Sequence, residues 1–383
     1  MEMDQRRISM SDLVIGSPLP WDVYDASGHL LLSKGHIVRT GQIEALVERG
    51  MFVDAKAMPG KFSSDKANLP PKQIELPSVL RLINLANKRL ERLLFNLNYE
   101  ADAPAKLVEV AKAVNYAVSL NADIALACIL LNQEAGSYPV RHCVDTAIVA
   151  TVVARSMKRT PDEVATIAAA ALTMNIAMLR HQEQLQHKQN ALSDQEVKLI
   201  HSHPQQGMEM LQQVGVTNKD WLVYVLMHHE NEDGSGYPLG KGGKDIPENV
   251  KIISIADRYC ARVSSRSYRK ALLPNAALRD ILMADKKQID PMLATCFIRE
   301  LGIYPTGTFV RLENGEIGVV TGKGESTTTP YVHTLIGPRG APLSFPIKRD
   351  TAKSLYSIRE VLHEDQAGIR FSLQQLWGDE ARL

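Results

Sequence analysis

The long stretch from Ser78 to Leu301 has the hydrophobic spacing of packed helices and almost nothing that suits a strand. Between Leu80 and Leu97, for example, apolar residues recur every three or four positions, which is the stripe of a helix packed on a core. Hydrophobic residues make up 45% of the chain and aromatic residues only 5%, a balance typical of Ala- and Leu-rich helices. The sequence therefore predicts a mainly α protein.

Two capping motifs mark helix starts inside this stretch. Thr160, Pro161 and Glu163 supply an N-cap, a proline for the first helical position and a capping glutamate. Ser193 and Glu196 form a second capping box. Further along, His203-Pro204 begins the run HPQQG, which we expect to open another helix.

The N-terminal flank has a different pattern. Residues 1–55 contain two strand-like runs separated by a turn at 26–28, then a helix-like run at 40–50, which predicts a small α+β module. Residues 56–77 are rich in Pro, Ser and Lys, a composition that resists both helix and sheet and predicts a linker. The helical domain is then expected over 78–301.

The C-terminal flank, residues 302–383, predicts a small β-rich subdomain. Asn314-Gly315 lies between two β-branched runs and is a strong hairpin signal. Two more strands are expected on either side of the turn at 338–340. The tail at 374–383 predicts one short terminal helix.

Charge and cysteine spacing exclude several classes of protein. The formal net charge is +1, so no general field holds the chain on nucleic acid or on an acidic membrane. The apolar run at 165–179 is shorter than the roughly 20 residues that span a bilayer. Four scattered cysteines and an opening without a secretory pattern predict reduced thiols in a cytoplasmic protein.

The strongest chemical signal is the run HHENEDGSGYP, which begins with His228 and His229. His203 and His142 lie upstream on predicted helices, and Asp257 lies downstream on another. Imidazole nitrogens and carboxylate oxygens are usual ligands of zinc, iron and manganese, and bundles build metal sites from several helices. Neighbouring helical residues point about 100° apart, so the adjacent histidines can share an ion only where their helix ends.

Four strings carry a resemblance to a known family: HPQQG at 203–207, HHENEDGSGYP at 228–238, ADRYCA at 256–261 and SRSYRKAL at 265–272. In this order and spacing, residues 79–300 resemble an HD-GYP domain, a subfamily of the HD phosphohydrolases. The family hydrolyses the bacterial messenger cyclic di-GMP with two or three iron or manganese ions. The resemblance implies an HD-type helical bundle and a role in bacterial signal transduction.

The chain departs from this family at its catalytic positions. The family's His-Asp pair and following Lys are replaced by Met174, Asn175 and Met178. In the family the Asp bridges two metal ions and the Lys contacts the scissile phosphate, whereas a thioether and a neutral amide are poor ligands for these ions. By the same resemblance Cys260 stands for a second carboxylate and Tyr138 for a glutamate.

The resemblance divides the remaining ligands between two ions. His142 and Asp257 belong with the missing pair, so that ion keeps two protein ligands. His203, His228 and His229 belong to the other ion, and three histidines with an open position form a competent metal site. We expect at most one divalent ion, Fe, Mn or Zn.

Ligand recognition survives better than catalysis. Arg266 and Arg269 match positions where the family contacts phosphate, although solvated surface arginines explain them equally well. Gly236, Tyr237 and Pro238 form one wall of the pocket in the family and are linked to contacts with partner proteins. We expect recognition of cyclic di-GMP, or of a protein partner, with little or no hydrolysis. A phosphodiesterase that uses the three-histidine site and a scaffold that forms a homodimer are the alternatives.

Overall fold

The computed structural model of the protein describes residues 5–7, 18–25, 27–37, 52–54, 77–132, 136–185, 188, 190–264, 271–283 and 286–383. The chain divides into two compact units, residues 1–75 and residues 76–383. The second unit is mainly helical, which confirms the predicted fold class.

The first unit contains an antiparallel sheet of four short strands in the order β1-β4-β2-β3. The strands are β1 (Gln5–Arg7), β2 (Val23–Tyr24), β3 (Leu30–Leu32) and β4 (Phe52–Asp54). The predicted turn joins β2 to β3, and Asp25 Oδ1 accepts the backbone N–H groups of Ser27 and His29 there. The helix expected at 40–50 and all but the last residue of the linker expected at 56–77 lie outside the described residues.

The second unit is built around one buried helix. Its helices are α1 (Val79–Phe95), α2 (Ala103–Leu120), α3 (Ala122–Leu131), α4 (Tyr138–Ser156), α5 (Pro161–Thr173), α6 (Leu179–Leu185), α7 (Asp194–Gln213), α8 (Lys219–Met227), α9 (Glu248–Val263), α10 (Pro274–Met283) and α11 (Pro291–Leu301). Every residue of α4 from Tyr138 to Ala154 is buried, and α2, α5, α9 and α11 pack around it. Residues from separate helices can therefore meet at its surface.

The two predicted capping boxes are confirmed at the starts of α5 and α7. The prediction that HPQQG opens a helix is wrong, because α7 begins at Asp194 and continues through Pro204 to Gln213. The capping box already starts this helix, and the buried residues His203, Gly207 and Leu211 form one face of it at a spacing of four. This packing keeps a proline in the helix interior.

A five-stranded antiparallel sheet follows the helices, in the order β8-β7-β6-β5-β9. The strands are β5 (Phe309–Leu312), β6 (Ile317–Gly322), β7 (Tyr331–Ile336), β8 (Pro342–Asp350) and β9 (Ile358–Leu362). Both predicted hairpins are confirmed, and Gly315 has the positive φ of 87° that its turn requires. Two short helices complete the chain, α12 (Glu364–Ala367) and α13 (Leu373–Trp377), of which α13 is the predicted terminal helix.

The segment Pro161–Gln182 is long and apolar enough to meet a length-and-composition test for a membrane span. However, 72% of its apolar window is buried inside the protein. Such burial is typical of a core helix, and α5 accordingly packs against α2, α4 and α8.

Candidate metal centre

Three histidine side chains come together between α7 and α8. His203 lies in the interior of α7, His228 is the C-cap of α8, and His229 is the next residue. One ring nitrogen from each histidine can be chosen so that the three nitrogens all lie within 4.8 Å of one another. The predicted helix end is confirmed, because α8 stops at Met227 and the backbone turns where the adjacent histidines must converge.

Backbone carbonyls hold two of these imidazoles in one tautomer. His203 Nδ1 lies 2.6 Å from the carbonyl oxygen of Ile200, and His228 Nδ1 lies 2.7 Å from that of Val225. A carbonyl oxygen only accepts hydrogen bonds, so each Nδ1 carries the proton and donates it. Each Nε2 therefore presents a lone pair.

The two Nε2 atoms face each other at 3.3 Å. With both protons on Nδ1, no hydrogen bond joins these atoms, and a cation bound between them would relieve the repulsion of their lone pairs. Two nitrogens bound tetrahedrally to one ion at about 2.0–2.1 Å are about 3.3–3.4 Å apart. The spacing and the donor chemistry thus fit a divalent metal ion with nitrogen ligands.

Burial keeps these imidazoles in the form that binds metal. Desolvation lowers the pKa of His203 to about 3, with a further contribution from neighbouring His228. Desolvation also lowers the pKa of His228 and of His229. All three rings are neutral near pH 7, and only a neutral imidazole offers a lone pair to a metal ion.

The other predicted ligands contact each other. His142 Nε2 lies 2.7 Å from Asp257 Oδ1, while Asp257 Oδ2 is 4.0 Å from His229 Nδ1. Burial raises the pKa of Asp257, but the hydrogen bond and charge of His142 outweigh it, so the carboxyl pKa is lowered overall. Asp257 is therefore an anion beside the three-histidine cluster.

The positions that the sequence predicts to depart from the family pattern lie in two environments. Met174 is fully buried in the hydrophobic core, whereas Asn175 and Met178 line the cavity beside the histidines. Tyr138 lines the same cavity and its ring stacks on His142 at 5.9 Å between ring centres. Cys260 is fully buried and burial raises the pKa of its thiol, so it is an unreactive core residue.

The cavity next to the cluster has a volume of about 510 Å³. Histidines and Asp257 form its polar wall, and Leu185, Leu192 and Ile200 contribute apolar surface. Among the described residues that line it, Lys188 supplies the one lysine or arginine side chain. Lys188 Nζ forms an ion pair with Glu196, the glutamate of the capping box of α7.

The Gly-Tyr-Pro loop packs tightly under His229. A Cβ atom at Gly236 would lie only 2.4 Å from the carbonyl oxygen of His229 and 2.5 Å from the backbone N of Asn231, so only glycine fits. The Tyr237 N–H donates to the same His229 carbonyl at 3.2 Å. The Tyr237 ring stacks on His201 at 4.3 Å between ring centres and lies 4.7 Å from His229. Pro238 follows Tyr237 through a cis peptide bond.

Glu230 anchors this loop and was missed by reasoning from the sequence. Its buried carboxylate accepts the N–H of Leu239 at 2.6 Å and the N–H of Lys241 at 2.8 Å. An acidic residue directly after two histidines and before a glycine-rich loop is the available signal. Lys188 and His201 were also not predicted, because nothing local indicates that either faces the cavity or the loop.

The two predicted phosphate-contacting arginines, Arg266 and Arg269, lie outside the described residues. The other predicted site residues are described, and the structure places His142, His203, His229, Tyr237 and Asp257 on one cavity. His228 is fully buried behind them.

Histidines and an aspartate from separate parts of the helical bundle thus line one cavity. Residues 124–293 match the family model described as the HD domain. The fold is also that of Bd1817, an HDG"Y"P protein from Bdellovibrio bacteriovorus, with a TM-score of 0.50 and 14% identity over 77% of this chain and 98% of that one. The predicted HD-type bundle is confirmed.

Sequence comparison also finds relatives named cyclic di-GMP phosphodiesterases. A cyclic di-GMP phosphodiesterase of Pseudomonas aeruginosa is 30% identical over 56% of this chain and 52% of its own length. The cyclic di-GMP phosphodiesterase PdeB of Borreliella burgdorferi is 24% identical over 52% of this chain and 53% of its own. The chain spans about half the length of these relatives.

Proposed function

We propose that this chain is a degenerate HD-GYP signalling protein that recognises cyclic di-GMP at the three-histidine cavity with little or no hydrolysis. The observation that carries the proposal is the 2.7 Å hydrogen bond between His142 and Asp257. With Met174 and Asn175 in place of the family's His-Asp pair, a second ion would have only these two protein ligands, and they already bond to each other. Such an ion would be weakly held.

The loss of one ion affects catalysis more than binding. A single divalent ion can lower the pKa of its bound water to about 7, but it cannot stabilise the attacking and the leaving oxygen together. Met178 removes a further charge, since the family's lysine at this position contacts the scissile phosphate. Hydrolysis is therefore expected to fall far below that of family members with an intact pair.

Features of the cavity support a small anionic ligand. Its volume of about 510 Å³ lies within the range of about 300–1,000 Å³ that is common for small-molecule sites. Lys188 brings a positive charge to the wall, and Glu196 can release it because the carboxylate keeps its bonds to Ser193. We propose that Lys188 contacts the phosphodiester, with Arg266 and Arg269 as further contacts.

The Gly236-Tyr237-Pro238 loop is proposed as one wall of the ligand site. Tyr237 lines the cavity, and its aromatic ring is stacked on His201 and close to the ring of His229. The same loop is the proposed contact for a protein partner, and a homodimer is the arrangement in which a second copy of this chain is that partner. Size-exclusion chromatography with light scattering tests the dimer.

A metal-dependent cyclic di-GMP phosphodiesterase is the second candidate function. It is supported by the 3.3 Å spacing of the Nε2 atoms of His203 and His228, which suits one divalent ion of Fe, Mn or Zn. His203, His228 and His229 would hold the ion, which would supply an activated water when bound, and the Asp257 carboxylate lies beside His229.

The proposed organisation is a cytoplasmic bacterial protein with an N-terminal α+β module at 1–55, a linker at 56–77, an HD-GYP domain at 78–301 and a β-rich subdomain at 302–383. The division between the compact units at residue 75 lies within the proposed linker.

Anaerobic incubation of the purified protein with cyclic di-GMP and ferrous or manganous ion tests the two functions. Products are separated chromatographically, binding is followed by calorimetry, and His229→Ala is the matched inactive variant. Binding without product supports the degenerate receptor. Linear dinucleotide or GMP formed by the parent alone supports the phosphodiesterase. If the protein shows no binding and forms no product, both functions are rejected.

A further inference from the structure

We infer that Pro204 is a positioning residue that frees the carbonyl of Ile200 to orient His203 toward the metal. The inference rests on the proposed three-histidine metal site, but two of its three readouts, urea unfolding and the tautomer of His203, require no metal. It explains why a helix that begins with a strong capping box keeps a proline in its interior.

Helix geometry connects Pro204 to one particular carbonyl. In an α-helix each backbone N–H donates to the carbonyl four residues earlier, so the N–H of residue 204 would occupy the oxygen of Ile200. Proline has no N–H, and its ring also crowds that carbonyl and displaces it from the helix ladder. The oxygen of Ile200 is thereby available to a side chain.

His203 uses this oxygen. Its Nδ1 donates to the Ile200 carbonyl at 2.6 Å, which places the lone pair on Nε2 and directs it at Nε2 of His228, 3.3 Å away. Because His203 is only 2% exposed, loss of this bond would leave a buried N–H without its partner. One missing N–H therefore sets both the tautomer and the direction of a buried imidazole.

His228 reaches the same arrangement by another route. Its Nδ1 donates to Val225, again the carbonyl three residues earlier, at 2.7 Å. Val225 lies in the last turn of α8, where carbonyls have no helical N–H partner. The two helices thus free equivalent carbonyls, one by ending and the other by containing proline.

An alanine at position 204 restores the competing N–H. It would share or take the Ile200 oxygen and weaken the bond that holds His203. Partners that orient metal-binding histidines typically contribute about 10–100-fold to metal affinity. We expect Pro204→Ala to bind zinc about 10–100-fold more weakly, while the midpoint of its metal-free urea unfolding stays equal or rises, because the helix gains a regular residue.

The experiment compares the parent protein, Pro204→Ala and Pro291→Ala in zinc titrations and in urea unfolding. Pro291 is the matched control, because it is exposed in the first turn of α11, where a missing N–H frees no helical carbonyl. Nitrogen-15 NMR of the metal-free parent gives the tautomer of His203, which we expect to be Nδ1–H.

Zinc affinity that falls in Pro204→Ala alone, without loss of stability, supports the inference. Parental zinc affinity in that variant overturns it, and so does an Nε2–H tautomer in the parent. If the parent binds no zinc, the proposed metal site is rejected, and the tautomers of the parent and of Pro204→Ala then decide the role of Pro204 separately. If the variant does not fold, the parent tautomer decides it.

Discussion

Replacing Glu230 by Gln tests whether a buried carboxylate holds the Gly-Tyr-Pro loop against the candidate metal centre. Glu230 is 2% exposed, and its two oxygens accept the N–H groups of Leu239 and Lys241 at 2.6 and 2.8 Å. Tyr237, which lines the cavity beside His229, lies in the segment between Glu230 and Leu239 that these bonds close. The loop should therefore loosen when one anchor is lost.

The size of the effect follows from the hydrogen bonds. Glutamine keeps the shape and one acceptor oxygen, but it turns an amide NH₂ group toward one of the two backbone N–H groups. A buried donor without a partner costs about 1–3 kcal/mol, and the remaining bond loses about 1 kcal/mol of charge assistance. We expect the loop to be destabilised by about 2–4 kcal/mol.

Amide hydrogen exchange at Leu239 and Lys241 measures this loss directly, because these two N–H groups report local opening. A loss of about 2–4 kcal/mol corresponds to exchange that is about 30- to 700-fold faster. Glu109→Gln is the control, since Glu109 is exposed on α2. Exchange in Glu230→Gln within threefold of that control would refute the anchoring role.

Three further predictions concern the ligand, the second ion and pH. Lys188→Met should weaken cyclic di-GMP binding about tenfold in calorimetry, while Lys198→Met, exposed on α7, should leave it unchanged; equal losses would mean that net charge alone matters. Met174→His combined with Asn175→Asp should add a second manganese equivalent and raise hydrolysis at least tenfold, and no gain in product would show that more than this pair is missing. Because burial lowers the pKa of His203 to about 3 in the folded protein, only the unfolded chain is protonated at this residue between about pH 6.5 and 3. This residue should therefore lower the metal-free free energy of unfolding by about 1.4 kcal/mol per pH unit between pH 6.5 and 4. In urea unfolding, His203→Gln should lose stability less steeply as the pH falls. Parallel pH profiles of the parent and the variant would contradict the lowered pKa of His203.

Interactions between residues close in the sequence determine much of the fold. Thr160 with Glu163, and Ser193 with Glu196, start helices because the residues that satisfy the free N–H groups lie within one turn of each other. Asn314-Gly315 makes a hairpin for a similarly local reason. Pro204 was misjudged because proline's local preference against helix interiors was overridden by burial of the face that includes His203.

The candidate site was only partly predictable. The spacing of the motifs singled out His203, His228 and His229, and the helix end expected at His228 is present. The contacts of Lys188, His201 and Glu230 were not predicted, since each depends on how segments far apart or loops of irregular backbone fold back on one another.

The sequence by itself determined which side chains are available: three histidines for a metal ion, a glycine where no Cβ fits, and a methionine and an asparagine where the family resemblance implies metal ligands. Only the tertiary structure decided how they are used. His142 and Asp257, 115 residues apart, bond to each other, and the buried ring nitrogens of His203 and His228 face each other with their lone pairs. The physical reason is that tautomer, burial and pKa depend on the atoms packed around a group, and helix packing brings those atoms from distant parts of the chain.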